Sequence, residues 1–162
     1  MIPSSTYRLQ LGPEMTFDQV AEIADYLAAL GVGAVYASPV LAATPGSTHG
    51  YDVVDPTIAS PALGGEEARM RMVGELQELE LGLVVDIVPN HMGIADPPAN
   101  PWWWDVLANG RASTYARFFD IDWDTGPVLV PVLGSDSLDV LSIEDGELRY
   151  YVFDILWLNG HL

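Results

Sequence analysis

No cysteine occurs among the 162 residues, so the chain carries neither a disulfide framework nor a thiolate metal site. Basic side chains are almost as scarce: Lys+Arg total 6 against 23 Asp+Glu, a formal net charge of −17. A field of that sign repels nucleic acid and anionic lipid and disfavours phosphorylated substrates. A neutral ligand such as a sugar meets no such penalty, although acidity also serves simply to keep a protein in solution. No apolar run approaches the roughly 18 residues that a membrane span needs. The opening Met1-Ile2-Pro3-Ser4-Ser5 lacks the basic and then apolar pattern of a secretory signal. The expectation is a cytoplasmic protein without nucleic-acid or membrane partners, its oligomeric state left open.

What is present suffices for a core. Hydrophobic residues make up 49% of the chain and charged residues 18%, the balance of a globular domain. Thr6-Tyr7-Arg8-Leu9-Gln10-Leu11 alternates as a strand does, and Gly12-Pro13 ends it. Thr16, with Gln19 three residues on, has the spacing of a helix capping box. Val20, Ile23, Ala24, Leu27 and Leu30 then fall on one helical face, and Gly31 supplies the stop. Ala34-Val35-Tyr36-Ala37 is a short apolar run, which completes a strand–helix–strand unit with a parallel pair.

A long polar connection is expected from about Leu41 to Gly65, a length that is usually functional. A second helix follows from about Glu66 to Leu79, with Met72, Val73, Leu76 and Leu79 on its inner face. Leu83-Val84-Val85-Asp86-Ile87-Val88 reads as a strand buried on both faces. Three strands alternating with two helices open an α/β fold. Past Pro97 the alternation fails. Pro98, Pro101, the consecutive Trp102, Trp103 and Trp104, and short strand-like pieces at Val128-Leu129-Val130, Asp139-Val140-Leu141 and Leu148-Arg149-Tyr150-Tyr151 suggest an inserted, irregular β-containing region. The expected organisation is residues 1–96 as the main α/β unit, 97–151 as the insertion and 152–162 as an atypical tail.

In parallel α/β folds, functional residues gather where strands end. Two clusters obey that rule. Ser47-Thr48-His49-Gly50-Tyr51-Asp52-Val53-Val54-Asp55-Pro56, after the second strand, offers an imidazole, carboxylates and a phenol beside a turn-permitting Gly. Such a set suits a pyranose, with its apolar face and rim of hydroxyls, and it suits equally a loop whose polar groups serve its own backbone. Asp86-Ile87-Val88-Pro89-Asn90-His91 runs off the third strand, and a carboxylate within an apolar strand requires a partner. His49, Asp52, Asp86 and His91 could also converge on a divalent cation, yet they lack compact ligand spacing, and no metal or cofactor is expected. For the three Trp, core packing of at least two is favoured over a sugar platform. Asp120 and Asp122 are given a structural reading, as surface charges or as hydrogen-bond partners for Arg111 and Arg117, and His161 is given no role.

Asp86-Ile87-Val88-Pro89-Asn90-His91 resembles the first conserved region of the alpha-amylase family, and Gly50-Tyr51-Asp52 its Gly-Tyr element after the second strand. Within that family, Ser5-Thr6-Tyr7-Arg8-Leu9-Gln10-Leu11, the 47–56 segment, Asn100-Pro101-Trp102-Trp103-Trp104-Asp105-Val106-Leu107, Gly110-Arg111-Ala112-Ser113 and Ala116-Arg117-Phe118-Phe119-Asp120-Ile121-Asp122-Trp123 are similar to the malto-oligosyltrehalose synthases. The resemblance covers about residues 4–151. It implies the N-terminal part of a (β/α)8 TIM barrel with the start of an inserted subdomain. It also implies an isomerase of trehalose biosynthesis, which turns the reducing-end α-1,4 bond of a malto-oligosaccharide into an α,α-1,1 bond by intramolecular transglucosylation.

Carried onto this sequence, the resemblance has Tyr51 stacking under the transferred glucose and His91 bonding its primary hydroxyl. Asp86 orders the floor of the site, and Asp52 and His49 are supporting polar contacts. Asn90 stands where many amylases bind calcium; the synthases are considered independent of it. Retaining enzymes of this type use two carboxylates about 5 Å apart. The family nucleophile follows an Arg by two residues, and none of Arg8, Arg69, Arg71, Arg111, Arg117 or Arg149 has an Asp there. The chain is therefore expected to be a fragment, inactive alone, without its catalytic carboxylates; the unfamiliar residues 152–162 fit a truncation or frameshift. A fragment of a hydrolytic amylase and a non-catalytic, degenerate sugar-binding module remain as alternatives.

Overall fold

Three short parallel strands carry the first half of the chain: β1 (Thr6–Leu9), β2 (Ala34–Ala37) and a third at Gly82–Val85. The computed structural model describes residues 2–125 and, beyond them, the backbone of the strands Leu141–Glu144, Glu147–Tyr150 and Leu156–Leu158. The expected strand at Val128-Leu129-Val130, most of that at Asp139-Val140-Leu141, and the tail outside Leu156–Leu158, His161 included, lie outside the described residues. The chain divides into two compact units, residues 1–94 and 95–162.

In chain order the first unit contains β1, α1 (Phe17–Glu22), α2 (Ala24–Leu30), β2, β3 (Leu41–Ala43), β4 (Val53–Ala59), α3 (Gly65–Glu78) and β5 (Gly82–Val85). The sheet order is β1-β2-β5, with Arg8 beside Tyr36 and Tyr36 beside Val84 in register. Because strand side chains alternate, odd-numbered residues share one face and even-numbered residues the other. The odd face takes Leu9, Val35, Ala37 and Leu83 into a core with Phe17, Val20, Leu27, Met72 and Leu76 from the helices. Phe17, Leu27 and Met72 are fully buried, and each such side chain stabilises by about 1.5–3 kcal/mol relative to exposure. The even face carries polar groups.

The helices form much as their spacing predicts, with two differences. The Gln19 side chain accepts the Thr16 backbone N–H at 2.8 Å, one half of the capping box. The expected single helix is interrupted at Ile23, whose φ of −97° and ψ of 2° separate α1 from α2. The bonds Ile23 N to Gln19 O and Leu27 N to Ile23 O survive at 3.3 and 3.1 Å, so helical hydrogen bonding runs on across the interruption. Leu30, expected inside, is 53% exposed, because the helix ends at Gly31 before that turn reaches the core. In α3 the buried Ala68, Met72 and Leu76 recur every four residues, and Val73 and Leu79 pack beside them.

Two larger expectations are corrected. The stretch from Leu41 to Gly65 is not an open connection: β3 and β4 pair antiparallel, with register shifts on either side of Ala42. Those irregularities, and Pro56 within β4, hide the period-2 pattern that would have announced a hairpin. The third parallel strand stops at Val85, so Asp86 lies just past it, and Val84 is 38% exposed where burial on both faces was expected. The helices of this unit pack on the odd face, which leaves Val84 to the even one.

The second unit opens on a helix rather than on β structure. In α4 (Pro101–Asn109) the Asn100 side chain accepts the Trp103 N–H at 3.0 Å, and Pro101 takes the first helical position. Trp103 and Val106 are buried, whereas Trp102 and Trp104 are only half-buried. Trp102 stacks on Tyr115 with ring centroids 5.3 Å apart, and Trp103 meets Phe119 at 5.1 Å. Arg111 pairs with Asp124, and Arg117 lies over the Phe118 ring, so of the two readings of Asp120 and Asp122 the contacts favour surface charges over partners for these arginines. The backbone of β6 (Leu141–Glu144), β7 (Glu147–Tyr150) and β8 (Leu156–Leu158) makes an antiparallel sheet in that order. No helix among the described residues is long and apolar enough to cross a membrane.

Candidate functional site

Parallel strands leave their C-terminal ends at one rim, and a network of polar residues of the first unit gathers there. Gln10, just past β1, reaches across it: its amide donates to Ser38 Oγ at 3.2 Å and to the His49 carbonyl at 3.1 Å. Ser38, fully buried past β2, accepts the Leu11 N–H at 2.8 Å. The hairpin loop between β3 and β4 is thereby tied over the ends of β1 and β2.

That loop is shaped to present Tyr51. The Thr44 N–H bonds the Asp52 carbonyl at 3.0 Å and the Ser47 N–H bonds the Thr44 carbonyl at 2.9 Å. Ser47 Oγ donates to Asp52 Oδ1 at 2.5 Å and accepts the Gly50 N–H at 3.1 Å. Gly50 has φ of +77°, and a Cβ there would lie 3.2 Å from the Pro39 carbonyl. A side chain there is disfavoured by the conformation and crowded by Pro39. Asp52 therefore faces inward to the turn that holds Tyr51.

Tyr51 is the hub. Its phenol donates to Asp86 Oδ2 at 2.5 Å and accepts from the Arg8 guanidinium at 2.8 Å. Arg8 also donates to Asp86 Oδ2 at 3.2 Å, and the Tyr36 hydroxyl reaches the same oxygen at 3.3 Å. The Arg8 guanidinium lies 4.5 Å from the centroid of the Tyr36 ring. Strand register explains the convergence: Arg8, Tyr36 and Val84 sit side by side, and Asp86, two residues beyond Val84, continues the even face. The partner that a carboxylate at position 86 demands is thus a set of three donors, all on Oδ2. The Tyr51 hydrogen bond chiefly, with Arg8 and Tyr36 adding to it against partial burial, holds the Asp86 carboxyl below the usual carboxylate range. The same contact with Tyr51 does most to keep Arg8 protonated.

Two histidines grip the Tyr51 backbone. The Tyr51 N–H donates to His49 Nδ1 at 3.0 Å, which makes that nitrogen an acceptor. The 3.7 Å approach of Asp52 Oδ1 to Nδ1 is then a contact between acceptors, not an ion pair. His91 Nε2 lies 3.0 Å from the Tyr51 carbonyl, and since a carbonyl only accepts, the proton sits on Nε2. The Asn90 side chain stands 3.1 Å from His91 Nδ1. Of the expected residues, Tyr51, Asp86, His91, His49 and Asn90 meet directly or through Tyr51, while Asp52 backs the loop. Arg8 and Tyr36 were not singled out by the sequence; their signal was their place on neighbouring strands, one residue each on the even face.

The arrangement offers an aromatic face set among fixed polar groups, beside an ionised carboxylate. It does not offer a metal cage: among the described residues no three of His, Asp and Glu stand close enough to share an ion. An apolar cleft of about 270 Å³ adjoins the hairpin, lined by Leu11, Pro13, Pro39, Leu41 and Leu63 among others, and its lining carries no charged group.

Residues 16–128 match the family model for the alpha amylase catalytic domain. The chain is 50% identical over 152 residues to a putative maltooligosyl trehalose synthase of Mycobacterium tuberculosis, covering 89% of this chain and 20% of that protein. It is 36% identical over 97 residues to an intracellular maltogenic amylase of Bacillus subtilis, covering 60% of this chain and 16% of that protein. The solved structure of maltooligosyltrehalose synthase from Arthrobacter ramosus matches with a TM-score of 0.85 at 50% identity, over 92% of this chain and 20% of that one. The chain thus spans about a fifth of the length of the synthases it matches.

Proposed function

Since the chain belongs to the alpha-amylase family, we propose that its strand-end rim is the sugar-binding floor of a malto-oligosyltrehalose synthase. The three parallel strands and their helices are part of an alpha-amylase-type (β/α)8 barrel, and the substrate is a malto-oligosaccharide. The reaction is intramolecular: the α-1,4 bond at the reducing end is broken, and the released glucose is rejoined through an α,α-1,1 bond. The observation that carries this reading is the Tyr51–Asp86–His91 cluster at the rim, in a chain 50% identical to synthases from end to end of the match.

The geometry gives each residue a task. The Tyr51 ring supplies a flat apolar face for the pyranose of the transferred glucose. Asp86, ionised and bonded by three donors, fixes that ring from below. His91 holds the Tyr51 carbonyl, and when it turns Nε2 to a sugar hydroxyl it exchanges one acceptor for another. His49 and Asn90 keep the backbone and imidazole aligned, and Asp52 stiffens the loop.

Glycosyl transfer with retention needs a nucleophilic carboxylate and a carboxylic acid about 5 Å apart. Asp86 suits neither part, because its Oδ2 is already committed and its carboxyl is held ionised. Asp52 spends Oδ1 on Ser47. The reading accordingly assigns binding to these residues and the bond-breaking carboxylates to sequence beyond these 162 residues. Residues 97–151 are assigned to a subdomain inserted in the barrel.

The test is conversion of maltopentaose by this chain beside a version extended through the following codons, with non-reducing product assayed. Non-reducing product from the extended protein alone is the expected result. Maltose or glucose instead would make water the acceptor and the parent a hydrolytic amylase. Turnover by the 162-residue chain alone would overturn the division of labour.

A further inference from the structure

We propose that Arg8 is a positioning residue for this site: by holding the Tyr51 hydroxyl against Asp86, it fixes the position over the rim of the ring on which the pyranose stacks. The inference rests on the sugar-binding reading above and adds a residue to it. A guanidinium can only donate, so at 2.8 Å the Tyr51 oxygen must accept from Arg8 and spend its single proton on Asp86. The phenol oxygen is thereby held from two directions, and any swing of the ring that carries it away from the rim breaks both contacts.

Arg8 is itself well fixed. Its guanidinium lies over the Tyr36 ring, 4.5 Å from the centroid, and its second contact falls on Asp86 Oδ2 at 3.2 Å. Its side chain remains 38% exposed and lies outside the hydrophobic core, so core packing does not account for its placement. Charge balance for Asp86 alone does not account for it either. A single cation would serve that purpose, whereas the planar fork of Arg8 is divided between a phenol and a carboxylate borne by different loops. Lysine keeps the charge but is one compact ammonium, which cannot reproduce a fork spread over two acceptors and lying over the Tyr36 ring.

The full-length protein carrying this chain would be titrated calorimetrically with maltopentaose as wild type, R8K, Y51F and the double variant, each checked for a cooperative melt. If Arg8 acts through the Tyr51 hydroxyl, R8K and Y51F each weaken binding by about tenfold and the double variant is little worse than either. Losses that multiply to about a hundredfold would overturn the proposal, and so would wild-type affinity in R8K. If R8K loses its cooperative melt, folding needs the guanidinium and the proposal fails in this form; Arg8→Gln, a planar but neutral donor, then tests whether the charge alone was needed. Absence of maltopentaose binding in the wild type would sink the sugar-binding reading itself, an outcome distinct from a failed cycle.

Discussion

Tyr51 donates its phenolic proton to Asp86 Oδ2 at 2.5 Å, joining residues 35 positions apart on two different strand-end loops. The contact converts two loops into one surface. Each loop is also anchored to the other through backbone: the Gly93 N–H bonds the Val53 carbonyl at 2.7 Å, and His91 bonds the carbonyl of Tyr51. A ring held in this way loses little conformational freedom when a ligand settles on it, which favours binding by preorganisation.

Removing the ring should therefore cost more than removing the hydroxyl. Tyr51→Ala deletes the stacking face, and aromatic contacts of this kind are worth about 0.5–1.5 kcal/mol beyond buried area. It also strips Asp86 of its closest donor. Malto-oligosaccharide affinity in the full-length protein should fall further for Tyr51→Ala than for Tyr51→Phe, read by calorimetry. Equal losses would mean that only the hydroxyl matters.

The state of Asp86 carries a pH dependence with a definite sign. Its folded carboxyl titrates below the unfolded value, so the bound state of the network favours folding wherever the unfolded carboxylate is already ionised. That contribution is fully present above the ordinary carboxylate pKa, about 3.9, and is lost as pH falls through the depressed folded value. Asp86→Asn lacks the titration. The difference in melting temperature between wild type and Asp86→Asn should be constant near neutrality and shrink below about pH 4. A difference that widens on acidification would contradict the assignment.

Local pattern reached a good part of this molecule. The strands at Thr6 and Ala34, the helix with Met72 and Leu76 inside, and the need of Asp86 for a partner all follow from spacing and from the cost of a lone carboxylate. The identity of the partners did not, because it depends on register. Arg8 meets Tyr36 only once β1 and β2 are paired, and no neighbour in sequence announces it. The hairpin was hidden by bulges around Ala42 and by Pro56. For α4 the signal was present in Asn100-Pro101, a cap followed by a first-turn proline, but three Trp and the flanking prolines drew attention to irregular structure instead. His49 and His91 stood out in the sequence as polar candidates, while their grip on the Tyr51 main chain depends on how the two loops fold together.

Loop shape can be tested separately from side-chain chemistry. Gly46 and Gly50 both have positive φ, +81° and +77°, but a Cβ meets open space at Gly46 and the Pro39 carbonyl at Gly50. Gly46→Ala should cost only the backbone term, about 1–2 kcal/mol. Gly50→Ala should cost more than that and should also weaken malto-oligosaccharide binding, because relief of the contact displaces Tyr51. Urea denaturation and calorimetry on the paired variants would read both effects, and a smaller loss for Gly50→Ala would remove the packing argument.

Asn100 tests the entry of the second unit. It is fully buried, and its side-chain oxygen closes the start of α4 on the Trp103 N–H. Loss of such a cap costs about 0.5–2 kcal/mol. Burial raises the stake, since Asn100→Ala leaves the Trp103 N–H without its acceptor in a site that water does not readily reach. Asn100→Asp keeps an acceptor of the same length and adds a negative charge at a helix N-terminus, where the dipole favours it, but it places that charge in a buried position. Asn100→Ala should therefore lower stability toward urea by the cap energy or more, and Asn100→Ser should recover part of the loss. If Ser and Ala prove equally destabilising, the cap is not what Asn100 contributes, and its remaining buried contacts must carry the cost.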